Sequence, residues 1–192
     1  MKLLHIDSAA TGAGSVTREL TAAIVARWQE AVPGLVVAYR DLDAQPLPHL
    51  TAPVLAKADA AITEAGEAAL QQFLDSDVIV VGAPMYNFSV PSTLKAWIDR
   101  VAIAGRTFRY TEQGPEGLAR GKRVIVASGR GGIHGNGPTD FQEAYLRQVF
   151  GFLGIDQVEF VRAEGVAYSP QHRSDALAAA HASIPLPLRE AA

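Results

Sequence analysis

Three short stretches of the chain carry residue types suited to holding a phosphate and a flat aromatic ring. The first, Asp7-Ser8-Ala9-Ala10-Thr11-Gly12-Ala13-Gly14-Ser15-Val16-Thr17, puts small residues, glycines and hydroxyl side chains directly ahead of an amphipathic segment. A helix starting there offers unpaired backbone N–H groups and partial positive charge, and the hydroxyls of Ser15 and Thr17 add donors around a phosphate. Neither the Gly-Lys-Ser/Thr of a P-loop nor a Gly-x-Gly-x-x-Gly dinucleotide fingerprint is present, so a small phosphomonoester suits the loop better. Taken alone, Ser15 could equally be an ordinary helix cap. The second stretch, Gly82-Ala83-Pro84-Met85-Tyr86-Asn87-Phe88-Ser89-Val90-Pro91, is apolar and aromatic where loops are usually polar. Such side chains can pack along a flat ring such as an isoalloxazine while backbone N–H groups and the Asn87 amide meet its polar edge. The alternative is that Met85, Tyr86 and Phe88 only cover the end of the core. In the third, Ser128-Gly129-Arg130-Gly131-Gly132-Ile133-His134-Gly135-Asn136-Gly137-Pro138, glycines around one Arg let the backbone approach a ligand closely, or else form a plain flexible turn.

The elements that must position these stretches are legible from apolar patterning. Short apolar runs at 3–7, 35–40, 78–82, 123–128 and 158–162 predict strands, and Val78-Ile79-Val80-Val81 suits a strand buried on both faces. A helix is expected from Val16 to Ala31, ended by Pro33-Gly34, and a second helical region over roughly Ala52 to Leu74. A third begins near Pro91 and buries Leu94, Trp97, Ile98 and Val101. A fourth opens on Thr139-Asp140-Phe141-Gln142 as a capping box, carries the helical stripe Phe141, Tyr145, Val149, Phe152 and Leu153, and stops at Gly154. The last covers about Asp175 to Ser183, before Pro185 and Pro187, and the end after Ile184 reads as a loose tail. Five strands alternating with helices predict an α/β three-layer sandwich with a five-stranded parallel sheet, in a single domain spanning 1–192. Ligands of such sheets bind beyond the carboxyl ends of the strands, where all three stretches fall. Two insertions, Asp41 to Leu50 and Gly105 to Gly121, break the alternation.

Composition narrows the chemistry. The chain has no cysteine, which removes disulfides, thiolate metal sites and cysteine nucleophiles, so redox work needs a borrowed cofactor. His5 falls inside a strand, His49, His172 and His181 show no metal spacing, and no metal is expected. With 17 Lys+Arg against 20 Asp+Glu and no basic run, neither nucleic acid nor an anionic membrane is the expected partner. No apolar stretch approaches the roughly 20 residues of a membrane span, and Met1-Lys2 leads straight into a strand without a leader pattern, so a cytoplasmic location is expected.

Together the motifs resemble a known family. Ile6-Asp7-Ser8 with Ser15-x-Thr17, Pro84-Met85-Tyr86-Asn87-Phe88, Gly105-x-Thr107-Phe108-Arg109-Tyr110-Thr111-Glu112 with Gly114-Pro115-Glu116-Gly117-Leu118, Arg130-Gly131-Gly132-Ile133-His134 and Gly137-Pro138-Thr139-Asp140 follow one another as in the bacterial FMN-dependent NADH azoreductases, also called NADH:quinone oxidoreductases. The resemblance covers nearly the whole chain. It implies a flavodoxin-like fold and a homodimer with two sites at its interface, each holding one noncovalent FMN. By that likeness Ser8, Ser15, Val16 and Thr17 serve the phosphate end, Pro84, Met85, Tyr86, Asn87 and Phe88 line the flavin, and Gly129, Arg130, Gly131 and Gly132 meet its ring edge. The chain departs from the family's pattern at Ala9, where a second serine is often found, and at Gly129, where a serine is common.

The resemblance further implies a two-step exchange. NADH or NADPH passes a hydride to flavin N5 and leaves, and a quinone, azo compound or nitroaromatic then takes its place and accepts two electrons. His134 and the neighbouring backbone N–H groups would stabilise charge near N1 and C2=O of the reduced ring, with Asn87 orienting acceptor or flavin. Tyr110 and Phe152 would cap the substrate face, reaching toward the neighbouring subunit, or else pack at the dimer interface. Two rival readings are a flavodoxin-type carrier of single electrons, against which the modest net charge of −3 and the long insertion speak, and a flavin-binding regulatory protein that NADH cannot reduce.

Overall fold

The computed structural model describes residues 1–135 and 137–187. In chain order the elements are β1 (Lys2–Asp7), α1 (Val16–Ala31), β2 (Val36–Asp41), α2 (Ala52–Leu55), α3 (Ala60–Asp75), β3 (Val78–Pro84), α4 (Ser92–Val101), β4 (Phe108–Thr111), β5 (Gly114–Gly117), β6 (Arg123–Gly129), α5 (Phe141–Phe152), β7 (Gln157–Ala163) and α6 (Pro170–Ala182). Five strands form one parallel sheet in the order β2-β1-β3-β6-β7, and β4 and β5 make a separate antiparallel hairpin. The expected parallel sheet and its five strands are therefore present, each longer than the apolar run or displaced from it by one or two residues. Helices cover both faces because every parallel neighbour needs a crossover.

Alternate strand residues feed two cores. On one face Leu3, Val80, Ile125 and Val161 pack against Leu20, Ile24 and Trp28 of α1 and Ala180 of α6. On the other, Leu4, Ile79, Val81 and Val126 meet Phe73 of α3, Trp97 of α4 and Phe150 of α5. The side-chain period of two makes this division automatic once the register is set. In register, Pro84, Gly129 and Ala163 lie side by side across β3, β6 and β7, so the loops leaving those strands start next to one another.

Four local expectations are corrected. The region from Ala52 to Leu74 is two helices, because the chain turns through Lys57 with φ 53°. Helix α5 begins one residue late for a capping box on Thr139: Asp140 is the N-cap and accepts Glu143 N–H, while the Thr139 hydroxyl faces His134. Its buried face is correspondingly Gln142, Leu146 and Phe150 with Leu153 beyond its end, whereas Phe141 stays exposed and Tyr145 and Val149 are only half-buried. The last helix starts at Pro170 behind a Ser169 cap, well ahead of Asp175, since proline suits a first helical turn. Finally, the insertion at 105–121 contains the β4–β5 hairpin, whose strands of four residues are too short to show a clear alternation. Asn136, and residues 188–192 of the expected loose tail, lie outside the described residues; up to that point Trp28 Nε1 donates to the Pro185 carbonyl at 3.0 Å, tying the segment after α6 to α1.

Candidate active site

The loops after β1, β3 and β6 converge at the carboxyl end of the sheet and are stitched to one another. Ser8 Oγ donates to the Gly82 carbonyl at 2.6 Å, Ala10 N–H donates to the Tyr86 hydroxyl at 3.2 Å, and Met85 N–H donates to the Gly129 carbonyl at 2.9 Å. The Phe88 and His134 rings meet edge-on at 5.8 Å. Gly129 also fits against helix α1: a Cβ there would lie 3.0 Å from the Thr17 methyl group, so glycine at this position and threonine at 17 share one space.

Hydrogen-bond accounting shows where these loops can receive a ligand. Ser15 caps α1, its Oγ accepting Arg18 N–H at 3.3 Å and lying 3.0 Å from Thr17 Oγ1. Among the described residues the N–H groups of Val16 and Thr17 have no acceptor, a polar helix start suited to an anion. In the third loop the carbonyls of Arg130, Gly131 and Gly132 are taken from beneath by the N–H groups of Val166, Ala167 and Gly165 at 3.0–3.2 Å. The N–H groups of Gly131 and Gly132 have no acceptor among the described residues and so remain for a ligand.

Between these two donor sets stands the aromatic loop. Tyr86 and Ser89 exchange both backbone hydrogen bonds at 3.0 Å, closing a two-residue turn on Asn87 (φ 49°) and Phe88 (φ 67°). Asparagine tolerates that left-handed conformation, whereas phenylalanine is strained in it by about 1–2 kcal/mol. The strain is held by Gln142 of α5, a fully buried amide whose Nε2 reaches the carbonyls of Ala83, Pro84 and Ser89 at 3.1–3.4 Å and whose Oε1 accepts Ser128 Oγ at 2.8 Å. With Phe88 half-exposed, Phe88→Gly is expected to hold or raise stability by up to about 1 kcal/mol in thermal unfolding, while stripping an aromatic wall from the site. A loss of stability instead would mean that the ring's contact with His134 outweighs the strain.

Of the residues expected at the site, Asn87, Phe88 and His134 present side chains at this end of the sheet. His134 Nδ1 faces Thr139 Oγ1 at 3.0 Å, and its Nε2 lies 3.0 Å from where a Gly132 Cβ would be. The Ser8 hydroxyl is buried and ties the first loop to β3. The Arg130 side chain is turned away from the cleft, an inward guanidinium with none of its surface exposed, bound to Asp140, Glu143, Glu164 and Ser128. Only its backbone belongs to the loop surface, because a buried cation needs carboxylates around it. Tyr110 and Phe152 are not brought to this end within one chain. Helix α5 runs back against the strands, so Phe152 lies near the start of β7, where it packs on Phe108 at 4.5 Å, and Tyr110 leans on Phe108.

A second polar cluster holds the first loop from behind. Arg18 forks onto Asp41 at 2.6 and 2.8 Å and donates to the Ala9 carbonyl, while Asp7 accepts from Thr21 at 2.8 Å and from Tyr39 at 3.1 Å. Burial raises the Tyr39 phenol to about 12, helped by the Asp7 carboxylate. Burial works against ionisation of Asp7, but His5, Thr21 and Tyr39 outweigh it and hold its carboxyl below the usual range. The hydrogen bond from Arg18 lowers Asp41 to about 2 from an ordinary 3.8. A depressed folded pKa contributes stability that is complete above the unfolded value and lost as pH falls through the folded one. Urea unfolding is thus expected to show about 1–2 kcal/mol of stability lost between pH 4 and 2 from this pair, and Asp41→Asn to remove that part of the slope.

Sequence reasoning missed Gln142 as a loop anchor, Arg18 as a clamp and Glu164 with Tyr168 after β7. The last two were within reach of the rule that selected the other loops, since they too follow a strand's carboxyl end. Among the described residues no group of three or more His, Cys, Asp or Glu is placed to hold a metal, and no helix is long and apolar enough to cross a membrane.

The strand order, the polar helix start after β1 and the apolar loop after β3 define a protein of the flavodoxin-like class, and the flavodoxin-like fold family matches residues 1–185. The chain is 65% identical over 185 residues to an FMN-dependent NADH:quinone oxidoreductase of Stenotrophomonas maltophilia (strain K279a), covering 96% of this chain and 95% of that one. Among solved structures it is similar to an azoreductase from Bacillus anthracis str. Sterne, with 28% identity, TM-score 0.86 and 96% of each chain covered. It is likewise similar to an FMN-dependent NADH-azoreductase from Bacillus anthracis str. Ames Ancestor in complex with FMN, with 27% identity, TM-score 0.85 and 95% and 97% covered. The chain belongs to the family of FMN-dependent NADH:quinone oxidoreductases and azoreductases.

Proposed function

We propose that this chain, as one FMN-binding domain over residues 1–192, is a cytoplasmic oxidoreductase that uses NADH or NADPH to reduce quinones and azo compounds, with nitroaromatics as further acceptors. The observation that carries the reading is the pair of N–H sets without an acceptor among the described residues, Val16 and Thr17 at one end and Gly131 and Gly132 at the other, with the aromatic turn between them. That arrangement fits a molecule with a phosphate at one end and a flat ring with a polar edge at the other. When bound, FMN supplies the two-electron chemistry, accepting a hydride from NAD(P)H and passing the electrons on, so that NADH, a proton and a quinone give NAD⁺ and a hydroquinone.

The chain's own residues bind and orient. The hydroxyls of Ser15 and Thr17 and the start of α1 hold the phosphate, with Ser8 fixing the loop. Pro84 to Phe88 form an apolar wall that excludes water from the ring, and the Asn87 amide orients flavin or acceptor. Gly129 to Gly132 present backbone to the ring edge, and His134 supplies a donor where charge develops on reduction.

The acceptor face is completed in a homodimer. Phe88, Ile133, Phe141 and Tyr168 leave apolar surface at the loop end, and Tyr110 leaves it at the hairpin. A second copy of the chain would cover these exposed apolar side chains. Since Tyr110 and Phe152 sit at the far end of their own sheet, they reach an acceptor only in the partner's site.

The test is an anaerobic visible spectrum of protein reconstituted with FMN and freed of excess, recorded before and after NADH and then a simple quinone. Bleaching by NADH and recovery with quinone is the expected result. Failure to retain flavin overturns the three-loop reading, and retained flavin that NADH cannot bleach makes the protein a carrier or regulator. Light scattering after size exclusion checks the shared site, which a monomer at working concentration would exclude.

A further inference from the structure

Glu164, the first residue after β7, joins a buried ion cluster to the loop that carries His134. Its Oε1 accepts the His134 N–H at 2.8 Å and lies 3.2 Å from Arg130 Nη1. Its Oε2 stands where a Cβ on Gly135 would be only 2.7 Å away, so the loop runs directly over the carboxylate. Arg130 cannot swing away, because Asp140 holds it at 2.8 Å, Glu143 at 2.9 Å, and Glu143 is itself forked by Arg162. An acceptor fixed in this way holds its donor in one place, where a freely rotating glutamate would not.

The loop is therefore pinned on both sides of the two donors that have no acceptor among the described residues. On one side the backbone of Gly165, Val166 and Ala167 takes the carbonyls of residues 130–132. On the other, Glu164 takes the amide of His134. Glycines at 131 and 132 have no side chains to hold their own conformation, so their aim depends on these flanking attachments.

We propose that Glu164 is a positioning residue for the cofactor's ring edge: through the His134 amide it fixes the outward aim of the Gly131 and Gly132 N–H groups and the place of the His134 ring. This rests on the FMN reading above. The role calls for a fixed acceptor oxygen, which glutamine supplies and alanine does not.

The test compares wild type, Glu164→Gln and Glu164→Ala in the full chain, by FMN titration followed through flavin fluorescence and by amide hydrogen exchange of residues 131–134 without FMN. Glu164→Gln is expected to bind FMN within about threefold of wild type and to keep the His134 amide protected. Glu164→Ala is expected to bind at least about tenfold more weakly, a loss of about 1.4 kcal/mol, and to expose that amide. Arg130 keeps Asp140 and Glu143 in both variants, and matching melting temperatures will show that the fold is intact. Should the alanine variant not fold, the glutamine variant against wild type decides on the same two readouts. Wild-type FMN binding and exchange in Glu164→Ala, or a glutamine variant as impaired as the alanine one, overturns the inference. A wild-type chain that binds no FMN overturns the cofactor reading instead, while exchange at His134 still reports on Glu164.

Discussion

Arg130→Met is expected to destabilise the folded chain by about 3–5 kcal/mol, the cost of leaving the buried Asp140 carboxylate without its cation and Glu143 with Arg162 alone. Arg130 has no exposed side-chain surface, and Asp140 and Glu143 beside it are 6% and 9% exposed, so neither can recover its hydration without the loop opening. The loss should also release Asp140, which caps α5, and so loosen Gln142 and the aromatic turn it holds. Urea unfolding followed by circular dichroism measures the stability directly. A change under 1 kcal/mol would mean that the cluster is hydrated in solution and is not the buried ion cluster described above.

Gly117→Ala is the second large effect, with an expected loss of about 3 kcal/mol, at the upper end for overpacking. A Cβ at 117 would lie 2.1 Å from the Gly154 nitrogen and 2.4 Å from its Cα, contacts with backbone that no rotamer change relieves. Gly154, at φ 93°, is held in turn by the end of α5, and Ala119 N–H donates to the Leu153 carbonyl at 2.9 Å beside it. The hairpin must move away, carrying Tyr110 with it and separating Phe108 from Phe152. The N–H groups assigned to FMN lie at the other end of the sheet, so FMN should be retained while quinone turnover falls. Loss of FMN together with turnover would instead place the hairpin's influence on the cofactor.

The parallel sheet and the meeting of the three loops at its carboxyl end were legible because they rest on strong local signals: uninterrupted Val/Ile runs, and glycines or aromatics at strand ends. The face that α5 buries was not. Its apolar stripe through Phe141 and Tyr145 competes with a polar residue, Gln142, whose burial is favourable only because three carbonyls and a hydroxyl converge on it from β3, the loop that follows it and β6. The buried place of the Arg130 side chain was hidden for a similar reason: the carboxylates at 140, 143 and 164 that surround it are separated from one another in sequence. The shift of the α5 cap from Thr139 to Asp140 is a contest between two good capping residues, settled when His134 engages the threonine.

The donors we assign to the ligand, which have no acceptor among the described residues, are main-chain amides at Val16 and Thr17 and again at Gly131 and Gly132, and this bears on how such a protein can change over generations. Main-chain groups survive most substitutions at their own positions provided the backbone path is kept, and that path is anchored from beneath by Gln142, Arg130 and Glu164. Side chains at the rim, such as Ile133 and Phe141, carry none of those anchors. Drift at the rim can therefore alter which oxidant is admitted without surrendering the bound prosthetic group, so that retention and selectivity are inherited as separate traits.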